Sequence, residues 1–262
     1  MNPSAPAQPT GTYVYCVGYA RSLADPSSAF STPGVGGPDY AVRTITFDDL
    51  AAVVSDSPAL RLDIMRENLM AHEHVVEESL KRSSVLPVAF GTVALNDDEV
   101  REKLLEREFA ELHRQLDSVF DCVELDLRVL WKREQLFAQI AAENDQIRNL
   151  RDDLAGRDPD TAYYERIQLG ELTAAAIEQL REQETELILA SLEPAAVETK
   201  LNPNLTDMMI VNAAFLLVRD QIPEFDAVVQ ELGGSRSDHM LFQYVGPTAP
   251  YNFVNVSVDW EE

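Results

Sequence analysis

Residues Cys122–Trp131 read CVELDLRVLW. Apolar and polar residues alternate along this stretch, the period-two pattern of a strand with one face buried. From Lys132 to about Leu192 the chain becomes highly charged and the period turns helical. Leu136, Ile140, Ile147, Leu150 and Leu154 recur at heptad-like spacings of four, seven, three and four, with Glu143 interrupting one inner position. Gly156–Pro159 breaks that pattern, with Asp158 placed as an N-cap before Pro159 at the first helical position. A second arm carries Leu169, Leu172, Ala176, Leu180 and Leu187 on one face. Two arms joined by a short turn predict an antiparallel helical hairpin, each arm reaching about 35 Å at the α-helical rise. A short strand near Ala195–Lys200, a turn at Asn202-Pro203-Asn204 and a long apolar strand, Met208–Val218, come next. Pro223 then opens a helix with Phe225, Val228, Val229 and Leu232 facing inward, and Gly233-Gly234 are expected to end it. His239–Val245 supplies a final strand. The order β-α-β-β-α-β is that of a ferredoxin-like domain with its first helix enlarged into a hairpin.

Working outward, that domain is placed at residues 122–245, with the hairpin at about 132–192 and a Pro-containing C-terminal tail at 246–262. Upstream lies an N-terminal α+β domain at residues 12–121. Thr12–Ala20 (TYVYCVGYA) alternates aromatic and β-branched residues and is read as a strand. The Gly-, Pro- and Ser-rich run Ser22–Asp39 is a loop, and Ala41–Phe47 with Leu50–Ser55 form a hairpin tipped by Asp48-Asp49. Arg61–Arg82 carries Met65, Leu69, His72, Val76 and Leu80 on one helical face. Val85–Leu95 (VLPVAFGTVAL) is an apolar strand whose Pro87 and Gly91 suit an edge or a kink. Asn96, three residues before Glu99, has the spacing of a capping box, and Leu105, Phe109, Leu112 and Leu116 give the helix it opens a buried stripe. Residues 1–11, rich in Pro, Ala and Ser, are expected to be disordered. The fold class is therefore α+β in two domains.

Composition narrows the function. The chain has 262 residues, 45% of them hydrophobic, enough for a sizeable core. Lys+Arg number 21 against Asp+Glu 45, a formal net charge of −24. Such a field repels nucleic-acid phosphates and anionic lipid, so neither nucleic acid nor a bilayer is an expected partner. The same charge favours solubility and opposes co-aggregation with a sticky partner. Two cysteines, Cys16 and Cys122, both in strand-like runs, make neither a disulfide framework nor a Cys-rich metal site. The start MNPSAPAQPTG lacks the basic and apolar regions of a signal peptide, and no run of about 18 apolar residues occurs. A reduced, cytoplasmic protein is expected.

Candidate chemistry is thin. His72-Glu73-His74 invites a metal site, but a helical zinc motif needs histidines four apart, and the residue four after His72 is Val76. On a helix His72 and His74 point about 200° apart, so His72 is expected as a hydrogen-bonded core histidine. Gly34, Gly36 and Gly37 lie in a GVGG stretch with neither the strand before it nor the helix after it that a phosphate cradle requires, so a flexible loop is expected. No nucleophile elbow or Cys–His signature occurs. No catalytic residue, metal ligand or cofactor site is assigned. Two segments stand out instead as apolar, aromatic and Pro-containing: VLPVAFGTVAL and the tail VGPTAPYNFVNVSV. A terminal segment carrying Tyr251, Phe253 and Trp260 should either dock on its own body or offer a strand to a partner.

TYVYCVGYA, HEHVVEESLKRSSVLPVAFGTV at residues 72–93 and VGPTAPYNFV at 245–254 together resemble the signatures of the GvpL/GvpF family of gas vesicle proteins, in order and in spacing. Two departures are visible: Ala89 stands where family members usually carry a basic residue, and Gly246-Pro247-Thr248-Ala249-Pro250-Tyr251 replaces the usual G-P-W-P-P-Y. The resemblance implies an α+β N-terminal domain, a ferredoxin-like C-terminal domain and no enzymatic site. It implies an accessory role in gas vesicle assembly, with the small hydrophobic shell protein and other accessory proteins as partners. A structural place in the finished shell, or an enzyme of unknown chemistry, are the alternatives. The residues expected to touch a partner are Leu86, Pro87, Phe90, Gly246, Pro247, Pro250, Tyr251 and Phe253.

Overall fold

A computed structural model of the chain describes residues 11–25, 29–158, 161–258 and 260. The amino-terminal disorder expected for residues 1–10 falls outside the described residues, whereas Gly11, counted with that segment, opens the first strand. That strand, β1 (Gly11–Tyr19), is buried almost throughout because it has neighbours on both sides. A one-turn helix, α1 (Ala20–Leu23), starts the expected loop. The hairpin forms as read, from β2 (Val42–Phe47) and β3 (Leu50–Ser57). Asp48 at its tip takes φ 50°, a left-handed conformation that Asp tolerates better than most residues.

The GVGG stretch is a packed turn and not a flexible loop. Gly34 N–H donates to Tyr40 O at 2.7 Å, Val35 is fully buried, and Gly36 and Gly37 take φ of 102° and 106°. Helix α2 runs from Arg66 to Leu80, shorter than the expected Arg61–Arg82. His72, Val75, Val76, Ser79 and Leu80 are its buried residues; Met65 and Leu69, expected on the same inward face, are exposed. The apolar stripe therefore reaches the core only over the last three turns.

Val85–Leu95 is not one strand. It breaks into β4 (Val85–Pro87) and β5 (Val93–Ala94) around Gly91, whose φ of 86° suits glycine and bends the chain. Both pieces pair with β1, giving the order β2-β3-β1-β4 with β5 beside β1, and Pro87 sits on the outermost strand of that path, where a missing N–H is tolerated. Asn96 caps the next helix as expected. Its Oδ1 accepts from Glu99 N–H at 3.0 Å, and Glu99 Oε2 accepts from Leu95 N–H at 2.9 Å. The chain continues from α3 (Asp97–Glu99) through a π-helical stretch, Val100–Glu106, to α4 (Phe109–Ser118). Leu105, Leu112 and Leu116 are buried, and Phe109 is half-buried against Phe47.

The described residues up to Glu124, together with those from Gly246 onward, make one compact unit; Leu125–Val245 make the second. In the second unit β6 (Cys122–Trp131) buries Leu125, Leu127, Val129 and Trp131 at alternate positions, the period-two pattern of its sequence. The expected first hairpin arm is split at Asn144 (φ −123°, ψ 100°) into α5 (Arg133–Glu143) and α6 (Asp145–Leu154). Asn144 Oδ1 accepts from Ile147 N–H at 3.0 Å, the N-cap bond that starts the new helix. The return arm, α7 (Tyr163–Leu192), is one helix of 30 residues, about 45 Å long and not 35. Pro159, expected at its first position, lies outside the described residues. Over this length the inward face drifts: Ile188 and Leu192 are buried, while Leu187, expected inside, is exposed.

The remaining strands are β7 (Glu198–Leu201) and β8 (Met209–Val218), followed by α8 (Ile222–Arg236) and β9 (Met240–Thr248). Gly233-Gly234 do not end α8, which runs on to Arg236; two glycines weaken a helix but leave its hydrogen bonds possible. The sheet order is β7-β8-β6-β9. Trp131 N–H donates to Met208 O and Lys132 N–H to His239 O, so the end of β6 lies at the starts of β8 and β9 and runs opposite to both. With β7 antiparallel to β8, this is the ferredoxin-like arrangement. Its core joins Phe215 and Phe225, ring centroids 5.0 Å apart, to the β6 row and to Ile188 and Leu192.

Cys16 and Cys122 are both buried. Burial pushes the Cys16 thiol up to about 12, which leaves almost no thiolate at neutral pH. In native buffer a thiol reagent is expected to label neither cysteine within minutes, and both at once in 6 M guanidinium, read by mass spectrometry. Rapid native labelling of Cys16 would contradict its place in β1.

Candidate partner-binding site

The carboxyl-terminal segment is held within the first unit through a small set of side chains. Glu124 is buried, and its two carboxylate oxygens accept from Asn252, Oε2 from the N–H at 2.8 Å and Oε1 from Nδ2 at 2.6 Å. Gln115 on α4 acts as a strand would: Oε1 accepts from Asn255 N–H at 2.8 Å and Nε2 donates to Asn255 O at 3.0 Å. A parallel bridge joins Val88 to Val256, and Lys103 Nζ donates to Trp260 O. Of the two alternatives for the tail, docking on its own body is what the structure contains.

Tyr251 ties this segment to the core through α2. Its hydroxyl lies 3.1 Å from Glu73 Oε1 and 3.3 Å from His72 Nε2. Tyr13 OH lies 2.9 Å from His72 Nδ1 and accepts from Gly91 N–H at 3.0 Å. Donors and acceptors then fall in one direction. Tyr251 gives its only proton to the carboxylate, so it accepts from Nε2–H; Nδ1, bare, accepts from Tyr13 O–H. His72 is the neutral Nε2–H tautomer, its two nitrogens taken by two tyrosines. Burial lowers its pKa to about 4 and pushes both tyrosine hydroxyls above their ordinary range. Among the described residues no group of three or more His, Cys, Asp or Glu is arranged to hold a metal.

A second carboxylate holds the loop before β2. Burial raises the Glu78 carboxyl, but the Thr32 hydroxyl, the N–H groups of Ser31 and Thr32 and the Arg82 guanidinium outweigh it and hold the pKa at about 2.

The eight residues expected to touch a partner divide by depth. Leu86, Pro87 and Pro250 are buried; Phe90, Tyr251 and Phe253 are half-buried; Gly246 and Pro247 are exposed. Phe90 packs edge-on against His72 and Tyr13, at centroid distances of 5.9 and 6.3 Å, so the β4–β5 turn and Tyr251 meet at the same histidine. Leu86 and Pro87 pair with Val17 and Cys16 of β1 and support that turn from beneath.

A group of residues that periodicity assigned inward, or passed over, lies outside. Leu60, Ile64, Met65, Leu69 and Met70 are all exposed, Ile64 at 81%. Leu69 and Met70 precede Glu73 by four and three positions, so they share its face of α2 and adjoin the Tyr251 contact. The sequence signal available for them was weak: charged neighbours at Arg61, Asp63, Arg66 and Glu67 break any inward run.

The chain matches the family described as gas vesicle synthesis protein GvpL/GvpF over residues 11–255. It belongs to that family. Gas vesicle protein F of Streptomyces sp. (strain CB03234) is 35% identical over 244 residues, 93% of this chain and 99% of the relative. The crystal structure of GvpF from Anabaena sp. PCC7120 superimposes with a TM-score of 0.79 at 24% identity, covering 95% of this chain and 99% of that one. GvpF from Microcystis aeruginosa gives 0.76 at 23% identity, covering 93% and 98%. These likenesses show the same α+β fold with its two antiparallel sheets. As a member of the GvpL/GvpF family, a family of gas vesicle proteins, the protein has a role in gas vesicle assembly. Among the described residues no helix is long and apolar enough to cross a membrane.

Proposed function

We propose that this protein is an accessory factor that binds the hydrophobic gas vesicle shell subunit and other accessory proteins, holding the subunit in the cytoplasm until it joins the growing vesicle. The observation that carries this is the exposed group Leu60, Ile64, Met65, Leu69 and Met70 on a protein of net charge −24. Clustered apolar exposure of this kind marks a contact surface, and methionines adapt to varied apolar partners. Tyr251 and Phe90 reach the same helix, α2, at Glu73 and His72, and Leu86, Pro87, Gly246, Pro247, Pro250 and Phe253 belong to the same reading of the site. The surrounding negative charge keeps the complex dispersed while the apolar face is covered.

The double variant Met65→Asp/Met70→Asp tests this. Both side chains are exposed, so the melting temperature is expected to stay within about 2 °C of wild type, as for surface substitutions generally. Capture of the shell subunit in a pull-down is expected to fall at least tenfold. Undiminished capture by a folded double variant would remove this face from the proposal.

A further inference from the structure

We infer that the second unit carries a separate docking groove, between α7 and the β7–β8 sheet edge, for a basic amphipathic helix of a partner protein. The groove encloses about 640 Å³, within the size range of sites that take several side chains. It exists because β7 is short. Pairing with β8 covers only Ala213–Leu216, and past the Asn202 N–H to Asn212 O bond the Met209–Asn212 stretch has no strand on that edge, β6 lying on the other. The carbonyls there are met by side chains instead: Arg181 donates to Met209 O, and Thr185 and Asn204 donate to Ile210 O. What remains is a trough whose floor is Ile210 and Val211 and whose apolar sides are Leu189 and Leu201, the latter 58% exposed.

Charge selects the occupant. One wall is a file of exposed carboxylates, Glu178, Glu182 and Glu186, at intervals of four along α7. Successive members stand about 6 Å apart along the axis. A helix lying alongside α7 presents Lys or Arg at the same pitch when they recur every four residues, and its apolar stripe then faces the trough. Arg181 pairs with Glu178 at one end of the wall and also donates to the Met209 and Asp207 carbonyls, so Glu182 and Glu186 carry most of the wall's negative charge. An acidic helix would be repelled by the wall, and an uncharged apolar one would leave the carboxylates facing no charge.

The probe is a synthetic 14-residue helix with Lys at every fourth position beside a Leu stripe, its affinity measured by fluorescence anisotropy at 50 and 200 mM salt. Because the whole protein is acidic, the comparison needs a control of equal charge. Asp98, Glu102 and Glu106 form an exposed file of the same spacing on the first unit. E178Q/E182Q/E186Q is expected to weaken binding at least tenfold and to reduce its salt dependence, while D98N/E102Q/E106Q changes it less than twofold. Leu201→Glu, an exposed apolar position in the trough, is expected to weaken binding by a similar factor even though it adds negative charge. Equal losses in the two triple variants would mean general attraction to an acidic surface and would overturn the groove, as would undiminished binding by E178Q/E182Q/E186Q or no binding by the wild type. The face around Met65 and Met70 takes no part in this assay, so its failure and that of the groove are distinguishable.

Discussion

Glu124→Ala is expected to lower stability by roughly 3 kcal/mol and to free the carboxyl-terminal segment for proteolysis. Hydrogen bonds to a charged group contribute about 1.5–3 kcal/mol each, and removing a buried acceptor leaves its donors unsatisfied. Glu124 accepts both Asn252 bonds from a buried position. Removing it also withdraws the anchor that brings Tyr251 to His72 and Val256 to Val88. Glu124→Gln keeps one acceptor oxygen and should lose about half as much. Urea denaturation gives the stability change, and limited proteolysis followed by mass spectrometry locates the cut. A Glu124→Ala protein with wild-type stability and an intact carboxyl terminus would show that Gln115 and the Val88–Val256 bridge suffice to hold the segment.

Stability is also expected to fall by about 3 kcal/mol as pH drops from 6.5 to 4, owing to His72. Its folded pKa is about 4 against an ordinary value near 6.5. Between those values the unfolded chain binds a proton that the folded chain refuses, so stability rises with pH across this window and is flat above it with respect to this group. The direction follows from burial, which disfavours the charged ring; a protonated ring would also have to donate from both nitrogens, and Tyr13 OH already accepts from Gly91 N–H. Glu78, held at about 2, has the same sign lower down: its contribution is complete above pH 4.5 and is lost as pH falls toward 2. Denaturant melts of wild type and His72→Gln at pH 7, 5.5 and 4.5 check this. The wild type should lose stability faster than the variant on acidification; parallel curves would mean that His72 titrates normally.

How far the sequence could be read varies with how local the cause is. The hairpin β2–β3, the Asn96–Glu99 cap and the alternation of β6 depend on neighbours a few residues away, and each forms where its pattern lies. The break inside Val85–Leu95 was signalled by Gly91, but an apolar run with one glycine is compatible with a kinked strand as well as with two strands. Only pairing of both pieces to β1 decides between them. Likewise Met65 and Leu69 continue the helical stripe of His72, Val76 and Leu80, and periodicity treats all five alike. Their exposure depends on where the packing partners of α2 end, which lies in other elements.

The same division applies to the candidate site. Composition and spacing by themselves determined an acidic α+β chain, the ferredoxin-like element order and a buried, hydrogen-bonded His72. They also singled out the β4–β5 turn and the tail as unusual for so charged a protein. Only the tertiary structure decided that the tail closes on its own body, that Leu86, Pro87 and Pro250 are buried, and that the exposed apolar face begins at Leu60. The physical reason is range. Helical and strand periods are fixed by backbone geometry over a few residues, whereas the bond from Glu124 to Asn252 or from Gln115 to Asn255 joins positions more than a hundred residues apart and leaves no periodic trace in either segment.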